Sequence, residues 1–486
     1  MAAKVEGHKL RLPTLNIPWQ GAKLGPLLII LVFASLLWSI DAPEGIDLKT
    51  WHLFIIFVST IAGIILKPLP MGSVAILALA VLIITSTLTL KQSLVTFSNT
   101  TVWLVVFAFF FAKGFVKTGL GNRIAYYFIG TMGKSSLGLS YGIIFTEFLL
   151  SPVIPSNTAR GAGVVFPIIK SLAEGYGSDP KDKTERKIGS FLVKVAFHGN
   201  VITSAMFLTA LAGNPLIAKL AGQSGANLTW ASWAIAAIVP GLVSLLLLPL
   251  LFYVLYPPEL KKTPLATKMA KDKIKEMGNL TFQEGIMLLT FSLVLVLWVM
   301  GDHLGIDAAE AAVLGLAILL LTGVLNWNDL STEKEAWTTL VWFAVLLMMA
   351  GYLTEFGMIA WVSNHMSQTV SGLNWGMALL VMALVYYYSH YLFASVTAHI
   401  SSMYSAFLLV VIAMGTPPML GALTFAVLSS LSASITHYGT GTAPVFYGSG
   451  YVDIKDWWRL GFIVSIFSLV IWGTVGLGWW KLLGYW

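Results

Sequence analysis

The sequence predicts an all-α polytopic membrane protein: two inverted-topology repeats of about five transmembrane helices each plus one leading helix, with two re-entrant helical hairpins and two broken helices. Three observations lead there. Apolar residues fill 57% of 486 positions, charged residues only 10%, and mean hydropathy is +0.81. A soluble domain carries about a quarter charged residues. Apolar runs such as "LGPLLIILVFASLLWSI" and "AIVPGLVSLLLLPLLFYVLY" are long enough to cross ~30 Å of hydrocarbon. They are continuous rather than alternating, which argues against an outer-membrane barrel. The third observation is a set of motifs that recurs at a nearly fixed offset.

Residues 1–23 form a basic leader without a small-residue cleavage site, so the first apolar run reads as a retained helix rather than a signal peptide. The net charge of +7 reads as positive-inside topology instead of a nucleic-acid patch. Lys4, Lys9, Arg11 and Lys23 precede the first span, and Lys261, Lys262, Lys268, Lys271, Lys273 and Lys275 crowd the hydrophilic linker 257–283. Both segments therefore belong on the cytoplasmic side of a multi-pass membrane protein, with the C-terminus outside. The linker separates a leading helix and first repeat (24–256) from a second repeat (284–486). The absence of cysteine excludes disulfides, thiolate metal sites and a Cys nucleophile.

The repeat is read from three matches. "TTVW" at 100–103 finds "TTLVW" at 338–342, and Gly119 finds Gly357, 238 residues on. "SNTAR" (156–160) then matches "SVTAH" (395–399), 239 residues on. An odd number of crossings per repeat makes consecutive repeats inverted. Around 137–173 and 376–412, two short apolar arms flank each polar tip, which reads as a hairpin entering the membrane part-way. Non-helical backbone at that depth needs protein or a water-filled cavity around it. Each hairpin is followed by an interrupted apolar segment, "FLTALAGNPLIAKL" (207–220) and "SITHYGTGTAPVFYGSG" (434–450). Gly213 and Pro215, then Gly439, Gly441 and Pro444, would break those helices.

Broken helix ends expose N–H groups that favour anions. Ser156, Asn157, Thr158, Ser395 and Thr397 add donors for a carboxylate, and Arg160 and His399 occupy equivalent positions in the repeats. His437 lies on the second broken helix. A charge in the membrane defaults to a functional hypothesis, and this set suits a multiply charged anion such as a dicarboxylate. Plainer readings exist. Ser and Thr in membrane helices often bond their own backbone, an arginine can snorkel to an interface, and His198, His390, His399 and His437 could be packing residues. Lys113, Lys117 and Lys194 read as interfacial, and Glu147 and Glu355 as acids pairing within the bundle. No HExxH, GxSxG, GxxxxGK[ST] or EF-hand pattern occurs, so nothing points to a metal enzyme or an ATP-driven pump.

Together, "TTVWLVVFAFFFAKGFVKTGLGNRIA", "SNTARGAGVVFPIIK" and "HYLFASVTAHISSMY" resemble the divalent anion/sodium symporter family, also called INDY-type transporters, over nearly the whole chain. The similarity is closest to the bacterial branch of citrate/succinate and tartrate/succinate antiporters. The resemblance implies a homodimer that works as an elevator, with a fixed scaffold and a moving transport domain holding both hairpins and both broken helices. It implies that Ser156, Asn157 and Thr158 form one substrate motif, that Ser395 and Thr397 form the other, and that Asn214 and Thr440 close the site. The sequence departs from sodium-coupled members at Val396, where they have Asn, and at Arg160 and His399, where they have small or hydroxylic residues. The expectation is a sodium-independent di/tricarboxylate antiporter with no cofactor and no nucleic-acid partner. Fixed charge at Arg160 would keep the empty carrier from crossing, and His399 would make anion handling depend on pH. The alternatives are a sodium-coupled symporter keeping one site around Ser156 and Asn157, and an anion channel.

Overall fold

The computed structural model describes residues 21–486 except 370, 371 and 373. The residues of the basic leader up to position 20, including Lys4, Lys9 and Arg11, lie outside the described set. Every named element among the described residues is a helix. Eight of them are long and apolar enough to cross a membrane, from Leu48–Leu66 to Ile454–Leu482, and Leu24–Trp38, Met71–Ile84, Ser136–Leu150 and Ala308–Leu321 are shorter apolar helices. The chain is a multi-pass membrane protein.

Helix ends follow local chemistry. Asp47 accepts from Thr50 N, Asn99 from Thr101 N, and Thr281 with Glu284 makes a reciprocal capping box. Gly119 and Gly305 close their helices at φ 76° and 66°, a conformation open to glycine. Pro240 and Pro249 sit inside Trp230–Leu255, where Ser244 Oγ donates to the Pro240 carbonyl at 2.8 Å.

The order of helices recurs along the chain. Helices beginning at Met71, Thr100, Leu120 and Ser136 are followed, 234–239 residues later, by helices beginning at Ala308, Lys334, Met358 and Trp375. The halves interlock, because Ala308–Leu321 packs on Thr100–Thr118 while Lys334–Glu355 packs on Met71–Ile84. The segment expected as the first hairpin holds the arms Ser136–Leu150 and Ala159–Val165 continuing as Phe166–Gly175. The second holds Trp375–Ser389 and Val396–Ala413.

The linker is more structured than a hydrophilic tether. It contains the helix Pro264–Met277, whose Ala266 and Ala270 are buried and which packs on Leu120–Met132. Ser136 N donates to the Lys261 carbonyl at 3.0 Å and Thr263 N to the Lys134 carbonyl at 2.9 Å, tying the linker to the base of the first hairpin. Arg123 reaches Glu284 at 2.7 Å and the Gly278 carbonyl at 2.9 Å. Of the lysines expected at interfaces, Lys113 pairs with Glu333 at 3.0 Å and Lys117 with Asp329 at 2.6 Å. Lys194 is a correction: it is wholly buried, with its ammonium 4.2 Å from the Trp457 ring centroid. Lys194 lies on the helix Gly189–Met206, every residue of which is buried, and an indole face attracts a desolvated ammonium.

Candidate functional site: two hairpin tips and two helix breaks

The first hairpin turns through 151–158. Ser156 Oγ accepts Ala159 N at 3.1 Å, capping the returning arm. Asn157 Nδ2 donates to Thr440 Oγ1 at 2.7 Å, and the Asn157 carbonyl accepts Asn200 Nδ2 at 3.0 Å. Thr442 Oγ1 reaches Asn200 Oδ1 at 3.4 Å. The approach is close: a Cβ on Gly161 would lie 2.8 Å from Thr442 Cγ2. Glycine there lets the first hairpin lie against the break of the second half.

The second tip uses the same devices. Ser395 Oγ accepts Ala398 N at 3.4 Å, capping Val396–Ala413. Thr397 is half-buried and faces the first half's break, its Oγ1 3.9 Å from where a Gly213 Cβ would stand. The helix Gly213–Gln223 packs on Val396–Ala413. Each tip is thus completed by the break of the other half. Asn214 is buried and braces its own break, donating to the Ser204 and Phe207 carbonyls at 2.8 and 2.9 Å. Its Oδ1 has no partner among the described residues.

The structure therefore brings Ser156, Asn157, Thr158 and Thr440 together at one tip, and Ser395, Thr397 and the Asn214 break at the other. Arg160 and His399 do not join them as free cations, which corrects the sequence reading. The Arg160 guanidinium is wholly buried and makes four hydrogen bonds: to Glu147 Oε2 at 3.1 Å, to the Ile154 and Ala210 carbonyls at 2.6 and 2.8 Å, and to Ser204 Oγ at 3.0 Å. Four of its five N–H donors are spent on protein. Its charge is matched by Glu147, an equally buried acid whose Oε2 also accepts Asn200 Nδ2 at 3.0 Å. A buried charge needs that match.

His399 is wholly buried behind its tip, with Nε2 2.9 Å from Ser389 Oγ and its ring against Tyr386, His390 and Phe393. It faces protein, so the expected pH-dependent contact with the anion has no geometric basis. The contacts of His437 are with Trp458, whose Nε1 donates to Nδ1 at 3.2 Å, and with the rings of Tyr438 and Tyr447, rather than with either tip.

Two cavities adjoin the helix Gly213–Gln223. The larger, about 700 Å³, is lined by Leu208, Pro215, Lys219, Thr100, Trp298 and Asp302 among others. The second, about 520 Å³, shares Lys219 and Gln223 with it and reaches Leu347 and Glu355. No tip residue lines either one. They form a crevice between a break-bearing element and the long helices opposite, and the crevice reaches Pro215, two residues from Gly213.

Sequence reasoning missed Asn200, and Glu147 as the partner of Arg160. Asn200 sits in "HGNVITS" (198–204), a polar cluster in a wholly buried helix, and that cluster was the available signal.

Comparisons agree with this architecture. The family described as "Sodium:sulfate symporter transmembrane region" matches residues 22–486. The chain is 57% identical over 468 residues to the Bacillus subtilis (strain 168) protein named "Putative malate transporter YflS", covering 96% of this chain and 98% of that protein. It is 50% identical to "Dicarboxylate transporter 1, chloroplastic" of Spinacia oleracea, covering 96% of this chain and 83% of that one. Among solved structures, it is similar in fold to the Alcanivorax borkumensis YdaH transporter (TM-score 0.56, 13% identity, 95% of this chain and 97% of that chain). Neisseria gonorrhoeae MtrF is a second such structure (TM-score 0.58, 14% identity, 92% and 93%). The chain belongs to the divalent anion/sodium symporter family of membrane transporters.

Proposed function

We propose that the protein exchanges one di- or tricarboxylate for another across its membrane, without sodium, by alternating access of a site built between the two hairpin tips. The observation that carries this reading is the bridging of the Ile154 and Ala210 carbonyls by Arg160. A cation joining carbonyls of a hairpin turn and a helix break is the role a sodium ion would fill, and here it is tethered. Val396 at the second tip offers no side-chain oxygen. The relatives named for malate and dicarboxylate transport suit a site with hydroxyl and amide donors at both ends.

The reason for obligatory exchange changes with the geometry. Arg160 is neutralised by Glu147, so net charge does not hold the empty carrier back. What remains is a set of half-buried hydroxyls, Ser156, Ser395 and Thr397, that donate to no acceptor among the described residues, with helix N-termini behind them. Carrying such hydroxyls without an acceptor through a low-dielectric barrier costs roughly 1–3 kcal/mol each, and a bound dianion accepts from them. Inverted repeats, a cytoplasmic linker, an external C-terminus, an elevator motion and a homodimer complete the reading.

The test is a counterflow panel in proteoliposomes preloaded with unlabelled succinate. Succinate, malate, fumarate, 2-oxoglutarate, citrate or tartrate outside should compete for labelled uptake, and acetate should not. Saturation and trans-stimulation separate exchange from a channel, and a sodium titration separates it from symport. Equal competition by acetate, or non-saturable flux, would overturn the proposal.

A further inference from the structure

Arg160 has a counterpart in the second half, and it is not the residue at the matching sequence position. In the first half, Arg160 ties the break to the hairpin through the Ala210 carbonyl. His399, 239 residues on, bonds Ser389 of its own hairpin and contacts no carbonyl of the second break. That bond is made by His390, whose Nε2 lies 2.8 Å from the Gly439 carbonyl. A carbonyl only accepts, so Nε2 carries the hydrogen and Nδ1 of the neutral ring is a bare acceptor. Nδ1 has no partner among the described residues, and the ring is wholly buried.

Gly439 precedes Thr440, whose Oγ1 takes the amide of Asn157 from the first tip. The fit is tight, because a Cβ at 439 would lie 3.0 Å from His390 Nε2 and 2.8 Å from Thr436 Oγ1. A carbonyl freed by a helix break needs a donor when buried. An imidazole supplies one without permanent charge, whereas the guanidinium of the first half needs Glu147 beside it.

Resting on the reading of the tips as the anion site, we propose that His390 is a positioning residue. Its bond to Gly439 orients the 439–440 peptide, hence Thr440, hence Asn157, and so keeps the two tips in one register.

Three variants test it by counterflow over a range of succinate concentrations. His390→Gln keeps an N–H near the Nε2 position, His390→Asn is too short to place one there, and His390→Phe keeps the ring without a donor. Losing one buried hydrogen bond predicts a half-saturating succinate concentration raised about tenfold in the Asn and Phe variants, with maximal rate changed much less. The Gln variant should stay near wild type. Combining His390→Asn with Thr440→Ala should be no worse than Thr440→Ala alone, since both act through one peptide. An unchanged half-saturation in the Asn variant overturns the inference, as does a Gln variant impaired as much as Phe while melting like wild type. A wild type that exchanges no dicarboxylate at all would instead overturn the functional reading, so the two failures are distinguishable.

Discussion

Arg160→Met is expected to abolish transport and to lower stability by about 3–5 kcal/mol, because Glu147 is left as an uncompensated buried charge. The Ile154 and Ala210 carbonyls also lose their donor, so the first tip loses its tie to the first break. The measurement is thermal melting in detergent alongside counterflow. Glu147→Gln combined with Arg160→Met should recover much of the melting temperature without recovering transport, since charge balance returns but the carbonyl bridge does not. Arg160→Lys should be intermediate, because one ammonium lacks the planar fork that reaches two carbonyls and a carboxylate together. A single Arg160→Met variant with wild-type melting would show that the pair is not the structural element described above.

The second large effect is expected at Asn157. Its amide is the direct bond between the first tip and the second break, 2.7 Å from Thr440 Oγ1, and the residue is almost wholly buried at 7% exposure. Asn157→Ala removes that bond and a donor to the anion. Hydrogen bonds to charged groups contribute ~1.5–3 kcal/mol, so affinity for succinate should fall roughly 10- to 100-fold. Asn157→Asp should fall further, because a carboxylate then faces the substrate's own charge. Half-saturation in counterflow reads both. An Asn157→Asp variant that binds succinate as well as wild type would exclude this tip from the anion site.

What the sequence revealed, and what it hid, divides along physical lines. The tips were legible because prolines and short polar side chains interrupt an apolar run, and such an interruption has few uses in a membrane. Caps Ser156 and Ser395 follow from the same local rules. Partnerships across the fold were not legible. Glu147 precedes Arg160 by 13 residues, on an apolar helix, and meets it only when the hairpin turns back. Lys194 looks interfacial by hydropathy, yet packs over Trp457, 263 residues away in sequence. The match of "SNTAR" to "SVTAH" pairs Arg160 with His399, but such a match aligns only positions in the sequence. Which side chain reaches a freed carbonyl depends on its length and on the turn it starts from, and in the second half that is His390. The sequence reading took Arg160 as a free cation facing the anion, since a single sequence does not show where a guanidinium points, and in the fold it is paired with Glu147.

The most direct test of sodium-independent, obligatory exchange is uptake of labelled succinate into proteoliposomes in sodium-free buffer, comparing vesicles loaded with unlabelled succinate and vesicles left empty. Rapid uptake into loaded vesicles and background uptake into empty ones is the predicted result. Equal uptake into empty vesicles, or uptake that appears only with an inward sodium gradient, would contradict it.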